Sequence, residues 1–150
     1  MRREAGFTLI DTVCALAIVG LLAFLVLPAI PRATSQARLA GYAVDIAALL
    51  KADRNAAMRD HVAVATSLDV ERRTVRSGVA AAVVEIPADV SFAALLAQRC
   101  ANRPVNSSIE FFPSGASCGG VVAITRQGLG YQIRVNWLTG GIEVVAIGRS

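Results

Sequence analysis

Chemistry needs a nucleophile, an acid–base pair or a set of metal ligands, and this chain offers few: one histidine, three cysteines and eleven carboxylates. His61 has no partner at metal-ligand spacing, and HExxH, P-loop and CxxC patterns are absent from the 150 residues. It reads as a solvated surface histidine. Glu85, Asp89 and Glu110 could pair in space, but nothing in their spacing requires it. No catalytic residue, cofactor site or metal ligand is assigned, and the chain is expected not to be an enzyme.

The cysteines divide by location. Cys14 lies in an uncharged apolar run and reads as a small apolar residue. Cys100 and Cys118 stand in the more polar remainder. In an oxidising compartment they would bridge, closing a loop of roughly 19 residues worth about 3 kcal/mol; in a reducing one they remain two thiols.

The elements that position these groups begin with the apolar run. Thr12 to Ile30 contains no charged residue, and a membrane span needs about 20 apolar residues. A secretory signal would have a shorter core of roughly 7–15 residues and a small-x-small cleavage site, which Pro28-Ala29-Ile30-Pro31-Arg32 does not supply. Val13 before Cys14 is too bulky for a lipoprotein signal. Asp11 at the mouth of the run is the anomaly, because an aspartate at the centre of a span costs about 2.5–3.5 kcal/mol, and less toward the interface. One explanation is local: Thr8-Leu9-Ile10-Asp11 fits a capping box, and an acid in the first helical turn suits the helix dipole.

Beyond Pro31, Leu39, Ala43, Ile46, Leu50 and Ala57 recur at helical spacing, with Arg38, Asp45, Lys51, Asp53, Arg54, Arg59 and Asp60 largely on other faces. This predicts an amphipathic helix continuing the span as one rod, with Gly20, Pro28, Pro31 and Gly41 as its weak points. After His61 the period becomes two. Strands are predicted at Val62 to Ser67, Arg73 to Ser77, Ala81 to Ile86, Val90 to Leu95, Ser108 to Phe112, Gly120 to Arg126, Tyr131 to Trp137 and Ile142 to Ile147. Glycine-bearing turns separate several of them. Phe111, Phe112 and Trp137 are expected in the core. The fold class is α+β: a long N-terminal helix, membrane-spanning then amphipathic, packed on a small antiparallel β domain.

The net charge of +4 arises from fourteen arginines and one lysine spread without a run. That dispersion reads as an arginine-and-alanine compositional bias and makes nucleic acid an unlikely partner. Gly148-Arg149-Ser150 adds one arginine, which predicts weak, salt-sensitive phosphate binding at most.

Arg2-Arg3-Glu4-Ala5-Gly6, then Phe7-Thr8-Leu9-Ile10-Asp11 and the apolar run, resembles the class III signal of type IV pilins and type II secretion pseudopilins. Three further segments look like the H-type (GspH) minor pseudopilins: Asp53 to Val64, Ile109 to Gly120, and Tyr131 to Gly140. The resemblance implies a leader 1–6, a transmembrane helix 7–30, an amphipathic helix 31–60 and a periplasmic pilin-like β domain 61–150. It implies cleavage between Gly6 and Phe7 by a prepilin peptidase and N-methylation of Phe7. It assigns assembly roles to Asp11, Gly20 and Pro28, with the Asp11 carboxylate neutralising the new amine of a neighbouring subunit. The family's usual residue there is glutamate, so Asp11 is one methylene short. The implied setting is the bacterial inner membrane, single-pass, with the leader in the cytoplasm. Implied partners are other pseudopilins, the secretion platform and membrane lipid, and the implied role is a subunit near the tip of a type II secretion pseudopilus. A minor type IV pilin active in pilus assembly or DNA uptake is the alternative.

Overall fold

A computed structural model describes residues 9–26 and 34–148. The chain divides into two compact units between Ala33 and Thr34.

The first unit contains α1 (Leu9–Val26), 18 residues with no turn-forming interruption except Gly20. An added Cβ at Gly20 would meet nothing within 4 Å. At about 1.5 Å per residue α1 is about 27 Å long, just under the roughly 30 Å of a bilayer core. Among the described residues no helix is long and apolar enough to cross a membrane. The uncharged run continues in sequence to Ile30, outside the described residues. The side chains of residues 9–23 are exposed all round the helix, Leu9, Ile10, Leu16, Val19 and Leu21 among them.

The second unit opens on α2 (Gln36–Asp60). Ser35 caps it, its Oγ accepting from Arg38 N at 3.3 Å, and satisfies one of the first-turn amides. His61, left-handed at φ 54°, ends it, a conformation histidine tolerates better than most residues. Continuity between α1 and α2 falls on residues 27–33, outside those described. Leu39, Ala43, Ile46, Leu50 and Ala57 are all buried, as their spacing predicts.

Ten strands follow. One sheet has the order β3 (Val83–Glu85), β2 (Thr74–Arg76), β1 (Val64–Asp69), β7 (Ser108–Phe111). The other runs β10 (Ile142–Ile147), β9 (Leu129–Val135), β8 (Gly120–Arg126), β4 (Ser91–Leu96). A small hairpin joins β5 (Arg99–Cys100) to β6 (Arg103–Pro104). Every pairing is antiparallel.

Alternation sets the inner faces: Val64, Thr66 and Leu68 on β1, Ile109 and Phe111 on β7, Val122 and Ile124 on β8, Ile133 and Val135 on β9 are buried. They form one core with the inner stripe of α2, which touches strands of both sheets. Truncating a fully buried aromatic such as Phe111 to alanine would cost about 3–5 kcal/mol. The β8–β9 register is held by Gln127 and Gly128, at φ 54° and 80°, the positive-φ pair that a two-residue hairpin requires.

Each of the eight strand-like segments read from sequence overlaps a strand, with ends shifted by up to two residues. The first starts at Val64 rather than Val62, because His61 has to close the helix first. The β5–β6 hairpin was not anticipated: two-residue strands carry no alternation to read.

Candidate functional site

The residues with assigned roles fall in both units. Gly6, Phe7 and Pro28 lie outside the described residues. Asp11 occupies the first turn of α1, where a carboxylate suits the positive end of the helix dipole. One residue on, Thr12 turns its hydroxyl back onto Leu9 O at 2.8 Å. Asp11 is exposed, as are the apolar side chains that follow it through residue 23. Apart from Asp11 and Thr12 the exposed side chains of this helix are apolar or small on every side.

In the body, the three segments read as family-like converge on one residue. Arg54 of α2 donates Nε to Gly115 O at 3.1 Å, in the β7–β8 loop, and Nη2 to Thr139 O at 2.9 Å, in the β9–β10 turn. The planar guanidinium suits this double contact because its donors diverge in a fixed fork. Gly115 and Gly140 have φ of 86° and 60°. A Cβ on Gly140 would strike Gly115 O, so the two loops meet backbone to backbone.

The β7–β8 loop is further fixed by Ser117. Gly115, Ser117 and Gly119 spell GxSxG, the lettering of a nucleophile elbow, which the sequence reading overlooked. Here the Ser117 hydroxyl donates to Asn136 O and accepts from Gly119 N, both at 3.0 Å, and Ser117 is 5% exposed. A strand follows it where the elbow needs a helix. The serine is a loop fastener.

Cys100 and Cys118 are joined as a disulfide, with their Cα atoms 5.5 Å apart. It ties the β5–β6 hairpin to the entry of β8. Beside it Glu110 on β7 faces Arg103 at 3.4 Å. Cys100, Cys118 and Glu110 are the only group of three His, Cys, Asp or Glu among the described residues close enough to share a metal ion.

Asp89 holds a different corner. It accepts from Thr34 N at 2.7 Å and Thr34 Oγ1 at 2.8 Å, and pairs with Arg126 Nε at 3.0 Å. These bonds, the Thr34 amide first and then its hydroxyl, with Arg126 a smaller contribution, hold the Asp89 carboxyl below its usual range. Asp89 and Glu110 are therefore engaged by separate partners.

Two side chains depart from expectation. Asp53, assigned to the polar side of its helix, is 1% exposed and accepts from Thr66 Oγ1 at 2.6 Å, from Gly78 N at 2.9 Å and from Ser77 Oγ. Its place was readable, since it stands three residues after Leu50 and four before Ala57 on the apolar stripe. Trp137, expected in the core with Phe111, is 66% exposed, while Phe111 is fully buried and Phe112 half-buried. The cause is the Asn136 turn: Asn136 Oδ1 accepts from Leu138 N and Thr139 N at 2.9 and 3.0 Å, which takes Trp137 out of strand geometry. With Leu95 and Arg134, Trp137 lines a shallow groove on the second sheet.

No protein-family model matches the chain, and no curated protein matches it either. The fold is shared with solved structures. The minor pseudopilin EpsH of the type 2 secretion system of Vibrio cholerae superposes with a TM-score of 0.55 at 11% identity, covering 69% of this chain and 93% of that one. A second EpsH structure gives 0.54 at 12% identity over 72% and 93%. The type IV minor pilin FimU of Pseudomonas aeruginosa gives 0.52 at 16% identity over 75% and 91%. The chain therefore has the fold of minor pseudopilins and minor pilins.

Proposed function

We propose that this protein is a minor structural subunit of a pilin-type filament, of the type II secretion pseudopilus in the first instance. In this reading a prepilin peptidase cuts after Gly6, Phe7 becomes the N-methylated terminus, and α1 belongs to a single span of the bacterial inner membrane. The body stands in the periplasm, near the tip of the filament, among other pseudopilins. The observation that carries the reading is one acid, Asp11, in the first turn of a helix apolar on every side, attached to a body with the minor-pseudopilin fold.

The physical logic is charge matching. Cleavage creates an amine at the edge of lipid, and a charge there is tolerable when an opposite one is within reach. The Asp11 carboxylate of one subunit supplies it to the next, and Gly20 and Pro28 let the helix adjust as subunits pack. The secretion platform and lipid are the further partners of this reading. A minor type IV pilin is the second reading, favoured by the likeness to FimU.

Mass analysis of the mature protein tests the family assignment: N-methyl-Phe7 is the expected first residue, and any other terminus sinks it. Loss of protein export on gene deletion supports the first reading. Loss of pilus function or DNA uptake with normal export supports the second.

A further inference from the structure

β3 is the last strand of the first sheet, so its outer side has no strand beside it. Ser77 N donates to Ala82 O at 3.0 Å and Ile86 N to Arg73 O at 2.8 Å, which puts Ala82 and Ile86 in hydrogen-bonded register with the chain around β2. Such positions alternate in an antiparallel ladder. Val84 therefore also faces β2, whereas Val83 and Glu85 turn their N–H and C=O groups outward. Along that edge runs a groove of about 540 Å³, bounded by Tyr42, Asp45, Ala48 and Ala52 of α2 and by Val84 and Glu85 of β3. We infer that this groove takes one extended segment of a partner protein, apolar at alternate positions and basic toward its ends, which joins the first sheet as a fifth strand beside β3.

Each property of that occupant has a cause in the site. The outward backbone groups are best met by another extended backbone; in this mode main-chain bonds supply affinity and side-chain pockets supply selectivity. Val83, Val84 and Glu85 include no proline or lysine, the residues that commonly blunt a sheet edge. Val84 packs against the core, so every second side chain of an added strand enters the groove on the α2 side. Room exists there because Ala48 and Ala52 are small and exposed. The volume falls within the roughly 300–1,000 Å³ usual for ligand clefts.

Charge sets the preference for a basic segment. Asp45 and Glu85 are exposed and take part in no ion pair among the described residues. Lys51 on α2 and Arg76, opposite Val83, do not line the groove. Its rim is therefore acidic, and cationic side chains on the occupant complement it. A second copy of this chain fits less well, since its β3 would bring another Glu85 to the same groove. The groove belongs wholly to the second unit, so its use does not depend on the role of α1.

The test uses the full chain in mild detergent and the labelled heptapeptide fluorescein-Arg-Val-Thr-Val-Thr-Val-Lys-amide, read by fluorescence anisotropy. The expected result is saturable one-to-one binding, about tenfold or more tighter than that of the same peptide with glutamate at both ends. N-methylation of its five central amides, which removes the edge donors, should weaken binding by about tenfold or more. So should Ala48→Gln with Ala52→Gln, which fills the groove without changing its charge. Asp45→Lys with Glu85→Lys should reverse the preference in favour of the acidic peptide. All four positions are exposed, and circular dichroism checks the fold of each variant. Absence of saturable binding by the basic peptide overturns the inference, as does equal binding of the N-methylated peptide or an unchanged preference in the charge-reversed variant. A dimer in sedimentation that Ala48→Gln with Ala52→Gln disperses also overturns it, assigning the edge to a second copy.

Discussion

Arg54 and Gly115, 61 residues apart in sequence, meet through a hydrogen bond from Nε to the glycine carbonyl at 3.1 Å. The same guanidinium reaches Thr139 O, so one α2 side chain fastens two loops that have no other common support from that helix's charged residues. Arg54→Lys keeps the charge and loses the fork. It should lower stability by about 1–2 kcal/mol, read from urea unfolding by circular dichroism. Equal midpoints for the two proteins would show that the loops hold each other without it.

Gly140→Ala should do more harm than its size suggests. The added Cβ meets a backbone oxygen, and the φ of 60° is strained for alanine. A loss of about 2 kcal/mol or more is expected in the same assay, whereas Gly41→Ala, inside α2 with open space around it, should gain about 0.5–1 kcal/mol.

Asp53→Ala removes the acceptor of three donors, two of them hydroxyls, Thr66 on β1 and Ser77 just after β2. Stranded buried donors make this substitution cost about 2–4 kcal/mol. Pairing it with Thr66→Val, which removes one stranded hydroxyl, should recover part of the loss. Strict additivity of the two changes would argue against the bond.

Asp89 gives a pH signature with a definite sign. Its folded value is lowered, by the Thr34 amide and hydroxyl above all, while the unfolded chain titrates near the ordinary value of about 3.9. The unfolded state therefore binds the proton more readily. The stabilisation is fully present above the unfolded value and is lost as pH falls toward the folded one. Thermal midpoints of the wild type and Asp89→Asn should differ at pH 6 and converge below about pH 4. A gap that stays constant down to pH 2 would assign the effect to packing.

Asp11→Ala should leave cleavage after Gly6 intact and impair assembly, measured as the fraction of protein recovered in sheared filaments. Asp11→Glu should assemble at least as well as wild type, since it restores one methylene of reach. Normal assembly of the alanine variant would leave the carboxylate as a helix-capping group alone.

Local and periodic features were legible in the sequence. The stripe from Leu39 to Ala57 gives α2 its buried face, and alternation gives β1 and β8 theirs. The site residues divide differently. Arg54 and Asp89 find partners at Gly115, Thr139, Thr34 and Arg126, which no short-range signal links to them. Asp53 was misread because its charge was weighed above its place in the repeat, although three nearby donors make burial tolerable. Trp137 was misread because size and hydrophobicity argue for the core, whereas the Asn136 turn decides its position.

Trp137 is the single tryptophan of the chain, and it sits on the surface. Its emission should already resemble that of indole in water while the protein is native, so fluorescence will report global unfolding poorly. The same placement makes the residue an intrinsic optical probe of the second sheet's outer groove. A blue shift on adding another subunit would reveal contact at that face without any label.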